Sequence, residues 1–256
     1  MYLIEPEDIR KNRALHGSPL EHMRAPGTVI LTFNRTIVEQ LSALCGLREA
    51  KWFHADHVPY CSASACWEGM VGDKKVYVFI PPVGASPMAA FCEELIYYGI
   101  RRIFLLCASW SLGGDILGQG QIHLPSFAVG LDGTSCHYGN VGYSVEAEPV
   151  MSAALADSLA ESGADWKEGG VGCCEAIYRI TPEMVDSYRE QGCLSMENGE
   201  VAVLYTLARV FGIQVGVVLQ PYIDLTRGFD ITYMGRKYHD TCRLQAFAAV
   251  DTIGKF

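Results

Sequence analysis

Residues 82–114, PVGASPMAAFCEELIYYGIRRIFLLCASWSLGG, hold the groups best placed for ligand chemistry. Gly84 begins a small-residue turn ahead of a helical pattern. Ser109 and Ser111 follow the apolar run Ile103 to Cys107 and offer hydroxyls and backbone N–H groups at the end of a strand. In open α/β sheets, ligands sit at such carboxyl ends. Trp110 beside Ser109 either shapes a pocket there or plugs the end of the sheet. The ten cysteines are scattered without a CxxC pair. Cys92 and Cys107 fall on apolar faces, where a reduced thiol behaves as a small hydrophobe, so reduced structural thiols and no metal are expected. No histidine is spaced to activate Cys173 or Cys174 as a nucleophile.

The elements that must position these groups follow from periodicity. Strands are expected at Thr28 to Phe33, Val76 to Ile80, Ile103 to Cys107, Gln121 to His123 and Val215 to Leu219. Helices are expected at Arg35 to Cys45, Pro87 to Tyr98, Val150 to Ser162, Pro182 to Gln191 and Glu200 to Phe211. Gly99 stops the second, and Thr181 with Pro182 makes a normal N-terminus for the fourth. This alternation predicts a three-layer α/β/α fold around a mixed, largely parallel central sheet. One domain over residues 1–256 suffices, with residues 1–26 as an N-terminal extension at a subunit contact. Gly130 to Tyr143 is a long polar loop suited to a site or a subunit contact.

Bulk properties exclude several classes. A net charge of -9 and a pI near 5.2 argue against sequence-independent nucleic-acid binding, which needs a basic face. No apolar run reaches the roughly 18 residues of a membrane span, and Met1 to Leu20 is too charged for a signal-peptide core. A cytoplasmic protein without membrane contact is expected.

Several strings resemble the nucleoside phosphorylase superfamily, which includes uridine phosphorylase, hexameric purine nucleoside phosphorylases and methylthioadenosine/S-adenosylhomocysteine nucleosidases. They are TVILTFNR, GASPMAAFCEELIYYGIRRIFLL, GGVGCCEAIY, SMENGEVAVLYTLARVFG and VGVVLQPYIDLTR, and together they run from about Thr28 to Arg236. The resemblance places Arg35, Gly84 and Ser109 at the phosphate or nucleophile. It places Ile177 and Tyr178 against the base, Glu200 at the ribose hydroxyls with Glu197 as the competing register, and Asp224 with Arg227 and Arg236 at the departing base. A carboxylate can accept from both ribose hydroxyls, a tyrosine face stacks on a base, and an acid near the base stabilises the leaving group. The bland alternatives are a turn-capping Asp224 and an Arg35 in the first turn of a surface helix.

The same resemblance puts Leu106 where phosphorylases carry a phosphate-binding arginine, and Leu31 where they carry glycine. Cleavage of a nucleoside N-ribosidic bond is implied, by phosphorolysis as the default or by hydrolysis with water. A binder that does not cleave is the other reading. No cofactor is expected beyond inorganic phosphate as co-substrate, and a dimer-based homo-oligomer of up to six subunits is implied. His16, His22, His54 and His57 are minor candidates for groups lent across a subunit contact. The base is left open, with Asp224 leaning toward purines.

Overall fold

The computed structural model describes residues 2–15, 27–52, 62–130, 132–140, 142 and 144–256. After α1 (Pro6–Leu15) the chain runs β1 (Thr28–Leu31), α2 (Arg35–Cys45), β2 (Arg48–Glu49), β3 (Ala65–Val71), β4 (Lys74–Ile80), α3 (Ala85–Tyr97) and β5 (Arg102–Ser111). It continues through β6 (Ile122–Val129), β7 (Ser144–Glu146), α4 (Pro149–Glu161), β8 (Trp166–Cys173), α5 (Pro182–Glu190), β9 (Cys193–Glu197), α6 (Glu200–Phe211), β10 (Gln214–Asp224) and α7 (Arg236–Lys255).

All ten strands join one mixed sheet, ordered β10-β6-β8-β9-β5-β1-β4-β3-β2 with β7 on β6. Its centre is parallel: β1 pairs with β4 and β5, and β5 pairs with β10. Because β10 meets both β5 and β6, the strands β10, β6, β8, β9 and β5 close on themselves, while β1 to β4 extend as an open wing. The parallel register brings the carboxyl ends of β4, β1, β5 and β10 to one edge.

Alternation along the central strands sorts their side chains into two cores. Val29, Leu31, Ile103, Leu105, Val215 and Val217 face α3 and α6, with Met88, Phe91, Leu95 and Leu204. Ile30, Phe104, Leu106 and Val218 face α2, α4 and α7, with Ile37, Leu41, Leu155, Cys242 and Ala249. Helices therefore cover both faces, giving the three layers expected from the sequence. A third cluster under α5 gathers Trp110, Val185, Tyr188 and Met196.

The expected helices lie within a few residues of α2 to α6, and Thr181 caps α5 by accepting from the Met184 N–H at 3.3 Å. Several elements differ from expectation: α1, β2, β3, β7 and β9 are not among those expected, and α7, β6 and β8 differ for physical reasons. The longest helix, α7, buries Thr241, Gln245, Ala246, Ala248 and Thr252 along with a few apolar residues, so its inward face carries little hydrophobic signal. The strand expected to end at His123 continues to Val129 through Pro125 and a register shift. β8 contains Gly169, Gly170 and Gly172, a loop-like composition that close packing demands. A Cβ on Gly170 would collide with the Phe127 ring and lie 3.0 Å from Cys193 Sγ.

Two buried polar devices tie the layers. His123 is wholly enclosed, with Nδ1 2.9 Å from Ser195 Oγ and Nε2 3.1 Å from the Gly169 carbonyl. Burial lowers its pKa to about 4, so the ring is neutral, donating from Nε2 to Gly169 and accepting from Ser195. Gln245 of α7 donates to the carbonyls of Cys107 (2.9 Å) and Val218 (2.6 Å), locking α7 across β5 and β10.

Candidate functional site

The site is built where strands end. After β4 the chain turns at Gly84, whose φ of 98° lies in the region that favours glycine. That turn aims the Gly84 N–H at Glu200, the first residue of α6, and it donates to Glu200 Oε1 at 2.8 Å. Glu197 ends β9 three residues earlier, and its Oε2 accepts from Val201 N at 3.3 Å. Both carboxyls are buried, at 6% and 3% exposure for Glu197 and Glu200. Glu197 Oε1 meets no donor. Burial first, then the neighbouring Glu200 charge and its hydrogen bond, push the Glu197 pKa well above the usual carboxylate range. The two candidate registers for a ribose-binding acid thus converge on one carboxyl pair.

Cys107 lies on the same face of β5. Its thiol is pushed up by burial, then by the charges of Glu200 and Glu197, which places it close to the pair. Leu106, set by the resemblance at the arginine position, points the opposite way into the core under α7 and is fully buried. A side chain directed from β5 toward the acids would therefore come from residue 107. Ser109 is also enclosed, and its hydroxyl donates to the Gln220 carbonyl across the strand pair at 3.4 Å.

At the end of β1, Asn34 caps α2 by accepting from Thr36 N at 2.8 Å. Its amide donates to Tyr238 Oη (2.7 Å) and Cys242 Sγ (3.2 Å), so α7 fixes the start of α2. Arg35 follows on the exposed first turn. Thr32 N donates to the Phe79 carbonyl at 3.0 Å, keeping the ends of β1 and β4 together and delivering Arg35 and Gly84 to the same edge.

Asp224 ends β10 and is buried. Its Oδ1 accepts from Thr226 N (2.9 Å) and Thr226 Oγ1 (2.6 Å), and its Oδ2 accepts from Gly114 N (2.9 Å). The carboxylate caps its own turn and fastens the loop after β5. Neither expected arginine meets it: Arg236 projects into solvent, 3.9 Å from Asp240, and Arg227 lies 3.8 Å from Asp230. Tyr233 is the closer titratable neighbour, its hydroxyl pKa raised by burial and then by the Asp224 charge.

Ile177 and Tyr178 form a short 3-10 turn after β8, with Tyr178 94% exposed. They wall a cavity of about 550 Å³ with Ile180, Val185, Leu225, Thr226 and Phe229. Ile223 and Leu225, the residues flanking Asp224, both line it. The structure thus brings Tyr178 and the Asp224 turn to one pocket, and Gly84, Glu197 and Glu200 to another group, while Arg236 stays apart. Sequence reasoning missed Cys107, Gly114, Tyr233 and Phe229. Thr226 had a readable signal, since Asp followed two residues later by Thr is a common side-chain-capped turn. His16, His22, His54 and His57 lie outside the described residues.

Comparison with known proteins follows the same outline. A family model described as the phosphorylase superfamily matches residues 38–220. Uridine phosphorylase of Klebsiella aerogenes is 21% identical over 202 residues, spanning 74% of this chain and 78% of the relative. The uridine phosphorylase of Salmonella typhimurium matches to the same extent. Among solved structures, purine nucleoside phosphorylase from Toxoplasma gondii in complex with immucillin-H superposes with a TM-score of 0.75 at 19% identity, covering 90% of this chain and 91% of that one.

Proposed function

The chain belongs to the phosphorylase superfamily, and from that premise we propose that it is a pentosyltransferase cleaving the N-ribosidic bond of a nucleoside by phosphorolysis. The observation that carries this reading is the buried Glu197 and Glu200 pair, with Glu200 accepting from the Gly84 N–H and Glu197 from the Val201 N–H, an acceptor site suited to a sugar diol beside a glycine turn. Glu200 takes the ribose hydroxyls. Tyr178 and Ile177 take the base in the cavity that Phe229 also lines. Asp224, its carboxylate taken up by Thr226 and the Gly114 N–H, holds the turn that walls that cavity. Inorganic phosphate is the co-substrate, no other cofactor is needed, and Arg35 with the start of α3 is its place on the shared edge.

In this scheme the glycosidic bond lengthens toward an oxocarbenium-like state. The base leaves with the bond electrons and takes a proton from water, and a phosphate oxygen attacks the anomeric carbon. Glu200 orients the sugar, and a carboxylate so close to the developing cation also stabilises it. Arg35 offers a bidentate fork to phosphate. The Leu106 side chain lies on the far face of β5 and takes no part. A homo-oligomer whose copies complete one another's sites accompanies this reading.

The test is a panel of purine and pyrimidine nucleosides with and without phosphate, with products separated by chromatography. Pentose 1-phosphate formed only with phosphate supports phosphorolysis. Free pentose under both conditions moves the reaction to hydrolysis. No turnover combined with ligand-induced thermal stabilisation makes the chain a binder.

A further inference from the structure

We propose that Glu197 and Glu200 hold one proton between them, with Glu197 the protonated member, so that Glu200 alone is presented as a carboxylate to the bound pentose. Glu197 is then a positioning residue acting through Glu200. The pentose role rests on the nucleoside reading above; the shared proton does not.

The geometry carries the proposal. Two carboxyls three residues apart, separated by Asn198 and Gly199, are both at least nine-tenths buried. Both are anchored by backbone donors, Gly84 N for Glu200 and the Val201 and Gly199 N–H groups for Glu197. Those donors can support one anion. A second anion at the same place lacks compensation, because the groups acting on Glu197 among the described residues are a carboxyl and backbone N–H groups, with no cation. Two adjacent carboxylates out of water cannot both ionise. The unsatisfied Oε1 belongs to Glu197, and a proton is the simplest resident for an oxygen that meets no donor.

The titratable groups around the pair are few. Cys107 approaches from β5 and Tyr205 from α6, and both are held neutral by burial and by the acids themselves. Asp132 and Cys173 flank Gly199: a Cβ there would lie 3.0 Å from Asp132 Cβ and 3.0 Å from Cys173 Sγ. The Asp132 carboxylate is taken up by Thr134 N, Ser135 N and Ser135 Oγ. When the pair loses its proton at alkaline pH, two anions repel, Glu200 is driven from the Gly84 turn, and the diol loses its fixed acceptor.

Infrared spectra of the protein in free form, taken from about pH 5 upward, test the proton directly, since a buried carboxyl keeps a protonated band where surface acids have ionised. A band present at neutral pH in the wild type and absent in Glu197→Gln is expected. No such band, or a band that survives Glu197→Gln and disappears in Glu200→Gln, overturns the proposal. Should Glu197→Gln fail to fold, Glu200→Gln decides: a band shifted to titrate at lower pH supports Glu197 as the carrier, and its loss at every pH overturns it. Kinetics then test the positioning role. The wild-type KM for the nucleoside should rise at least about tenfold through the alkaline titration, or 1.4 kcal/mol. Glu197→Gln should show a flat KM. An alkaline rise identical to wild type overturns the positioning role. A chain that shows the band but turns over no nucleoside sinks the phosphorylase reading and leaves the shared proton standing.

Discussion

Replacing Leu106 by arginine restores the residue type that the family resemblance sets at this position, and the structure predicts that the result is unfolding instead of a phosphate site. Leu106 is fully buried among Ile30, Phe104, Val218, Cys242 and Ala246, on the face of β5 turned away from Glu200. Losing the leucine contacts costs about 2–3 kcal/mol. An unpaired guanidinium in that layer adds several kcal/mol more. The sum, about 6 kcal/mol or above, is comparable with the whole stability of many domains, about 5–15 kcal/mol. At roughly 2–4 °C per kcal/mol for a chain of this size, Tm should fall by about 12 °C or more, or the variant should be insoluble. Leu106→Met, which conserves volume, should lose under about 1.5 kcal/mol. Cys107→Arg points toward the two acids and should lose less than L106R. Thermal melts with and without phosphate read all three. Soluble L106R melting within about 5 °C of wild type, and stabilised by phosphate, would show that residue 106 faces the site and refute the reasoning.

Three further outcomes are expected. His123, lowered from 6.5 to about 4, takes up a proton only in the unfolded chain, so its stabilisation is full above pH 6.5 and about 3 kcal/mol of it is lost as pH falls to about 4; urea titrations of wild type and His123→Gln at pH 7 and 4.5 should converge at the lower pH. Tyr178→Ala removes a side chain that is 94% exposed, so Tm should hold while the nucleoside KM rises at least about fivefold, the weight of one stacking contact. Gly170→Ala should cost about 1–3 kcal/mol by overpacking against Phe127 and Cys193, read as a lower urea midpoint.

Fold and site differ in how far they could be read. The central strands β1, β4, β5 and β10 are apolar runs buried on both faces, and α2 to α6 show helical periodicity or clear end signals, so the layered architecture was legible. α7 was not, because its inward face is written in Ala, Thr, Gln and Cys, residues that pack closely without marking a stripe. β8 was legible only through the resemblance, since its glycines read locally as loop. The Gly84 turn and the two glutamates were named as candidates, and the contact of Gly84 with Glu200 follows from strand ends that only the sheet register brings together. The orientation of Leu106 follows from period-2 alternation, which an alignment of strings does not weigh. Asp224 was named as a candidate, but its partner Gly114 depends on a loop that returns to the end of β10 from another strand.

The late position of α7 bears on how the chain is made. β1, β4 and β5 leave the ribosome long before residues 236–255, and until then the core face carrying Ile30, Phe104, Leu106 and Val218 has no α7 to cover it. At about 5–20 residues per second this exposure lasts on the order of ten seconds. Once α7 docks, Gln245 bridges the Cys107 and Val218 carbonyls, tying β5 and β10 under one side chain. Nascent chains stalled before α7 should therefore bind chaperones and be cut readily by proteases, and both properties should disappear once α7 has docked.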